Sequence, residues 1–295
     1  MTQEPTLYAP VVRRDGDTVT VVFSEDHPGY RDPAYQAHRA RIAEVALAYV
    51  PGGPVPEVEY SEQDHELWRL IGTELAEKHR RFACTEFLEG ADRLALSTER
   101  VPQLADVSAR LTELTGFGLS PAASLVALRD FYGSLAERRF HATQYVRHPS
   151  MPRFSPEPDV IHEIVGHGSA LAVDRLADIY SLFGATTHRL RTDRALGVMS
   201  SIFWFTMEYG LIRQHGEVTA FGASLLSSCG ELEHFRDVDI RPLNVVTMAN
   251  LPYRVEHDQP VLFCADSFAH LQDFLGTFLT AIEDDNELAY AARSA

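Results

Sequence analysis

The stretch Phe154-Ser155-Pro156-Glu157-Pro158-Asp159-Val160-Ile161-His162-Glu163-Ile164-Val165-Gly166-His167 decides how the rest of the chain is read. It places two imidazoles on one helix, predicted over about residues 157–183. Zinc proteases carry H-E-x-x-H, whose histidines lie four apart on one helix face. Here they lie five apart, which in an ideal helix of 3.6 residues per turn separates them by about 140°. Both reach one ion only where the helix is distorted or one histidine sits near its end, and Gly166 is the natural place for such a distortion. A third ligand has to come from another element. Phe203-Trp204-Phe205-Thr206-Met207-Glu208-Tyr209-Gly210 offers Glu208 inside an apolar, aromatic stretch. An unpaired carboxylate there is costly or becomes protonated, and ligation would remove the cost. Two histidines and a carboxylate on one side of an ion leave open positions, as in non-heme iron(II) oxygenases. Zinc hydrolases use the same ligand types, with Glu163 then available as a base. Histidines near one another on a helix are more often structural, and Glu208 could equally pair with an arginine. The residues alone leave these readings open.

Composition narrows the field. The 295 residues are 45% hydrophobic and 23% charged, ordinary for a globular protein long enough to bury a substantial core. Twenty-six basic against 42 acidic residues give a net charge of −16, which argues against nucleic acid or an anionic membrane as partner. Cys84, Cys229 and Cys264 have no paired spacing, so they predict neither a disulfide framework nor a cysteine-rich zinc site. The first residues lack the apolar core of a signal peptide, and no run approaches the ~18 apolar residues of a membrane span. The expectation is a cytoplasmic protein.

Residues 1–25 read as an N-terminal arm with one short strand, Thr18–Phe23, ahead of a single domain over 26–282 and a tail over 283–295. Asp32-Pro33 announces a helix, as N-cap followed by proline at the first helical position, and Pro51-Gly52-Gly53-Pro54 ends it. Ser61 and Asp64 form a capping-box pattern opening a second helix with Leu67, Leu70, Ile71 and Leu75 on its apolar face. Further helices are predicted near 103–115, 120–137, 195–215, 221–232 and 266–282, with strands at Asn244–Met248 and Pro260–Phe263. The class is mainly α with a few short β-strands.

The chain resembles the catalytic domain of the pterin-dependent aromatic amino acid hydroxylases, with phenylalanine hydroxylases foremost. The resemblance runs from Asp26-His27-Pro28-Gly29 to Ser267-Phe268. Val58-Glu59-Tyr60, Val101-Pro102-Gln103-Leu104, Leu114-Thr115-Gly116-Phe117, Arg129-Asp130-Phe131 and the segment Phe140–His148 carry it in order. Pro156–His167, Phe205–Gly210 and Leu225–Leu232 follow. It implies a helical, basket-like domain binding Fe(II) through His162, His167 and Glu208, with tetrahydrobiopterin or a related tetrahydropterin, O2 as cosubstrate and an aromatic L-amino acid. Iron and pterin together would activate dioxygen, with the protein supplying placement and a dry pocket. Glu163 and Phe203 would stand beside the reacting groups. Phe131 would stack on the pterin, with His141 and Glu163 at its edge and Val126 and Ser200 completing its site. Arg147 would grip the substrate carboxylate in a bidentate pair. Ser155, Pro156 and Ser227 would meet the polar end of the amino acid and Trp204 its ring. Asp159 and Glu231 would orient ligands. Without that resemblance Arg147 reads as one more surface arginine and Phe131 as core. A monomer is expected, since neither the family's regulatory domain nor its tetramerisation helix is present.

Trp204 and Val255 stand where the family's phenylalanine hydroxylases carry tryptophan and valine, so the expected reaction is L-phenylalanine to L-tyrosine. Departures from the family pattern are Ser155 for threonine, Phe203 for tyrosine, Ser124 and Ser224 for glycines and Leu128 for serine. Because a ring shift of about 1 Å changes which carbon is attacked, m-tyrosine is the alternative product. Hydroxylation of tyrosine or tryptophan, a zinc metallohydrolase and a non-catalytic pterin or amino acid sensor are the other readings.

Overall fold

The computed structural model describes residues 9–255 and 257–286; positions 1–8 of the arm and 287–295 of the tail lie outside the described residues. Of the described residues, 49% are helical and 14% are in strands, so the mainly α class holds. Strands β1 (Val11–Asp15) and β2 (Thr18–Val22) pair antiparallel, giving the arm a hairpin where one strand is predicted. Val21 and Phe23 pack it on Ala43 of α1 (Pro33–Leu47). Asp32 caps α1, accepting from the Ala34 and Tyr35 amides at 3.0 Å. The capping box of α2 (Glu62–Phe82) forms as predicted, with Ser61 and Asp64 bonded reciprocally. Its apolar face is Leu67, Trp68, Ile71 and Leu75, whereas Leu70 is half exposed.

After α3 (Thr85–Leu94) and α4 (Leu104–Thr115), the helix predicted over 120–137 is instead a β-α-β unit. Strand β3 (Gly118–Ala122) leads through α5 (Leu128–Leu135) to β4 (Arg139–Thr143), and the two strands pair in parallel. All five residues of β3 are buried, so no helical period marks the segment and pairing with β4 decides its form. The helix predicted over 157–183 is three pieces: a π-helical segment Ile161–Gly168, one turn α6 (Ser169–Leu171), and α7 (Asp174–Thr187). The prediction for 195–215 also divides. Helix α8 (Asp193–Phe203) runs into a second π-helical segment, Trp204–Glu208, and leaves helical geometry at Tyr209. Leu211–Gln214 is then strand β5, pairing with β6 (Glu217–Ala220).

The predicted 221–232 helix reduces to two single turns, α9 (Ala223–Leu226) and α10 (Glu231–His234). Strand β7 (Asp239–Pro242) precedes α11 (Val245–Asn250), which replaces the predicted strand Asn244–Met248. The β-branched Val245-Val246-Thr247 run suggests a strand, but Asn244 caps the Thr247 amide at 2.9 Å and Met248 anchors the helix in the core. Strand β8 (Val261–Ala265) meets its prediction and completes a four-stranded sheet of order β6-β5-β8-β7; α12 (Phe268–Ala281) follows. No helix among the described residues is long and apolar enough to cross a membrane.

One continuous core joins these elements. Two buried ion pairs cross it just before the first π-helical segment. Glu157 accepts from Arg39 at 2.6 and 3.1 Å and from Tyr145 at 2.8 Å, with His27 3.2 Å away. Asp159 accepts from Arg147. Removing one member of such a pair leaves the other charged and buried. Arg39→Ala is expected to destabilise the fold by about 3–5 kcal/mol, read as a lower urea midpoint with an unchanged slope.

Candidate metal centre and ligand cavities

Hydrogen bonding from i to i+5 adds a residue to each turn, so positions five apart come onto one face. Over Ile161–Gly168 this brings His162 and His167 together, with their Nε2 atoms 3.0 Å apart and their rings perpendicular. The widening is spread over the whole segment and is not a break at Gly166, whose φ is not in the left-handed region. Gly166 serves close approach instead: a Cβ there would lie 2.7 Å from the Ala223 carbonyl oxygen of α9. The second π-helical segment turns Glu208 toward both rings. Its Oε1 is 3.2 Å from His167 Nε2 and its Oε2 is 3.8 Å from His162 Nε2. Gly222 seats α9 on the back of this ligand, since a Cβ would fall 2.3 Å from the Glu208 carbonyl oxygen.

The outer ring nitrogens are fixed. Ser227 Oγ lies 3.1 Å from His162 Nδ1 and donates its own hydrogen to the Ser224 carbonyl at 3.1 Å. It therefore accepts the Nδ1 proton and leaves Nε2 with a free lone pair. Tyr180 Oη sits 2.7 Å from His167 Nδ1 and holds that ring from the outside. The Asp159 carboxylate accepts from the His162 amide at 3.1 Å, setting the start of the wide turn. Burial, then the neighbouring charge of His167, holds the His162 pKa down to about 4, so its ring is neutral. Burial would raise Glu208, but His167, His162 and a hydrogen bond from Ser224 outweigh it and bring the carboxyl down to about 2. Nitrogen donors from two histidines and an ionised carboxylate, converging at these distances, suit a divalent cation.

Glu163 is the other carboxylate within reach, and it belongs with both histidines to a group spanning less than 4.8 Å. Its Oε1, however, accepts from the Thr143 amide at 3.1 Å and hydroxyl at 3.0 Å. Burial, against those hydrogen bonds and the charge of His167, pushes its pKa up to about 7. A carboxyl already bonded and easily protonated is the poorer ligand, so Glu208 is the better third donor.

Two cavities meet at this centre, sharing Pro158, His162, Trp204, Glu208 and Val255 in their walls. The smaller, about 120 Å³, is also lined by Arg147, Ser155, Pro156 and Ser227, the residues expected at an amino acid's polar end. Asp159 takes Arg147 Nε at 2.9 Å and Nη2 at 2.8 Å. The expected bidentate fork is thus spent on Asp159. Nη1 remains, and the Pro152 carbonyl at 3.5 Å is too distant to hold it firmly. Trp204 stands as a wall, stacked on Tyr253 at 4.5 Å between centroids, with its indole N–H toward Gln259. Glu231 lines the same cavity, where burial and then Asp258 raise its pKa to about 7. Ser155 donates to the Glu157 carbonyl.

The larger cavity, about 270 Å³, is lined by Val126, Phe131, His141, Glu163, Ser200 and Phe203, and by the departure positions Ser124 and Leu128. Phe131 is half-buried and edges onto Phe140 and Phe203, which leaves a face for a flat ring. Phe203 is buried among Tyr132, Tyr180 and Phe183. Burial lowers the pKa of His141. Ser200 Oγ is 3.1 Å from Tyr132 Oη. Every site residue predicted from the sequence lies on the centre or one of these walls. Thr143, Tyr180, Tyr253 and Gln259 were not predicted. Thr143 ends β4, Tyr180 lies in α7, and Tyr253 and Gln259 lie in the connection between α11 and β8, so only the fold brings them together.

The family model for biopterin-dependent aromatic amino acid hydroxylases matches residues 17–295. The chain is 44% identical over 260 residues to phenylalanine 3-hydroxylase of Streptomyces coeruleorubidus, covering 88% of this chain and 93% of that one. It is 41% identical over 264 residues to tyrosine 3-monooxygenase of Bos taurus, covering 88% of this chain but only 54% of the bovine protein. Phenylalanine hydroxylase of Chromobacterium violaceum, solved with iron(III) and 7,8-dihydrobiopterin, superposes with a TM-score of 0.73 at 27% identity, over 85% of this chain and 92% of that one. The chain belongs to the biopterin-dependent aromatic amino acid hydroxylases and is an iron- and pterin-dependent monooxygenase. Because Ser227 fixes the tautomer of His162, Ser227→Ala is expected to weaken ferrous iron binding roughly 10- to 100-fold, measured by chelator competition under anaerobic conditions.

Proposed function

We propose that the chain hydroxylates the aromatic ring of L-phenylalanine at an iron(II) held by His162, His167 and Glu208. The observation that carries this reading is the meeting of a polar cavity and an aromatic one on His162 and Glu208. One cavity offers Arg147 to a carboxylate and Trp204 to a ring. The other offers Phe131 as a stacking face, with Glu163, His141 and Ser200 at its edge. Iron and reduced tetrahydropterin, when bound, supply the activation of O2 and deliver one oxygen atom to the ring.

The chain's own residues do the placing. Asp159 locks Arg147 and the start of the wide turn into one rigid piece, so carboxylate and metal sites keep a fixed separation. Arg147 binds the substrate carboxylate through Nη1, a charge-assisted hydrogen bond in a buried setting. Trp204, pinned by Tyr253, limits where the ring can lie. Glu163, bonded to Thr143, presents its other oxygen to the pterin edge and can hold a proton near neutral pH. Phe203 contributes only apolar surface beside the metal, which keeps water out.

For the ring position, the relative whose length nearly matches this chain is named a 3-hydroxylase, which favours m-tyrosine. p-Tyrosine, the product expected from the resemblance, is the second reading. Purified protein supplied with ferrous iron, tetrahydropterin, O2 and L-phenylalanine should yield a product one oxygen atom heavier, and chromatography against authentic m- and p-tyrosine assigns the carbon. His162→Ala and Glu208→Gln are expected to abolish both iron retention and product. No product from any aromatic amino acid would overturn the reading.

A further inference from the structure

Position 224 carries serine where the family pattern leads one to expect glycine, and its side chain points at the metal centre. Ser224 Oγ donates to Glu208 Oε2 at 2.7 Å, while Oε1 of the same carboxylate faces His167 Nε2 at 3.2 Å. The two oxygens therefore stand in different environments before any ion binds. The donor is held in place. Ser224 lies on α9, which the close approaches at Gly166 and Gly222 seat against both π-helical segments. Its hydroxyl is turned to the Glu208 carboxylate, which also has the two histidine rings beside it.

A carboxylate can give a cation one oxygen or two. An oxygen engaged by a firm hydrogen bond donates its lone pair less readily to a metal, and reorienting it to chelate would break that bond. We propose that Ser224 is a positioning residue that holds Oε2 of Glu208 away from the metal, so that the ligand binds through Oε1 alone and one more coordination position stays open. This rests on the ligand set proposed above. Its consequence in this chain is a standing constraint on the ligand, independent of substrate, that a glycine at 224 could not impose.

Cobalt(II) replaces iron(II) as the probe, because the intensity and position of its d–d absorption report coordination number. Wild-type protein, Ser224→Ala, Ser224→Gly and Ser224→Thr are loaded with one equivalent, with circular dichroism confirming the fold. The alanine and glycine variants are expected to show a weaker, shifted d–d band than wild type as the second carboxylate oxygen joins the metal, and Ser224→Thr to restore the wild-type spectrum. Loaded with iron, the alanine variant should form less hydroxylated product per pterin oxidised, with an unchanged KM for the amino acid. Wild-type and alanine spectra that coincide would overturn the role of Ser224 while leaving the ligand set intact. Failure of the wild-type protein to bind cobalt, or an unaltered spectrum in Glu208→Gln, would instead overturn the ligand set, and the proposal with it.

Discussion

In an ordinary α-helix, side chains five residues apart diverge by about 140°, and nothing in their chemistry can make them share an ion. Hydrogen bonding from i to i+5 across Ile161–Gly168 removes that divergence, and the rest of the site depends on it. A backbone so widened needs support on every side. Asp159 bonds its first turn, Gly166 admits the Ala223 carbonyl against it, and Tyr180 and Ser227 brace the two rings from outside. The second π-helical segment repeats the device at the end of α8, delivering Glu208 from a different part of the chain.

Buried charge links that backbone to the wall of the smaller cavity. Asp159 is fully buried and accepts from the Arg147 amide, Nε and Nη2 and from the His162 amide. A pair of this kind adds little net stability over apolar packing, because desolvation offsets most of the attraction. What it supplies is registry: one carboxylate fixes the guanidinium that faces the smaller cavity and the turn that carries the first histidine. Glu157, two residues earlier, does the same for α1 and the turn before it through Arg39 and His27. The stretch Glu157–Asp159 is thus tied to several elements by buried hydrogen bonds, although it is not regular secondary structure.

Much of this was legible in the sequence. The five-residue spacing of His162 and His167 announced a distorted helix, and the apolar surroundings of Glu208 marked it as a carboxylate in need of a partner. Terminal signals were reliable where they were local: Asp32-Pro33 and the Ser61/Asp64 box start their helices as read. Errors arose where tertiary pairing decides. Gly118–Ala122 and Leu211–Gln214 look continuous with neighbouring helices, and only their partner strands make them extended. The groups that tune the site were the least visible. Thr143, Tyr180 and Tyr253 act across gaps in sequence, so no spacing encodes them, and the fork of Arg147 was assigned to a ligand when Asp159 already holds it.

The central claim is that the wide turn presents two imidazoles to iron and that Glu208, not Glu163, completes the set. X-ray absorption at the iron edge of ferrous-loaded protein, compared with Glu163→Gln, tests this directly. The account predicts two imidazole donors among otherwise oxygen ligands, and a spectrum that Glu163→Gln leaves unchanged. An iron environment with one imidazole, or one that loses an oxygen donor in Glu163→Gln, would contradict it.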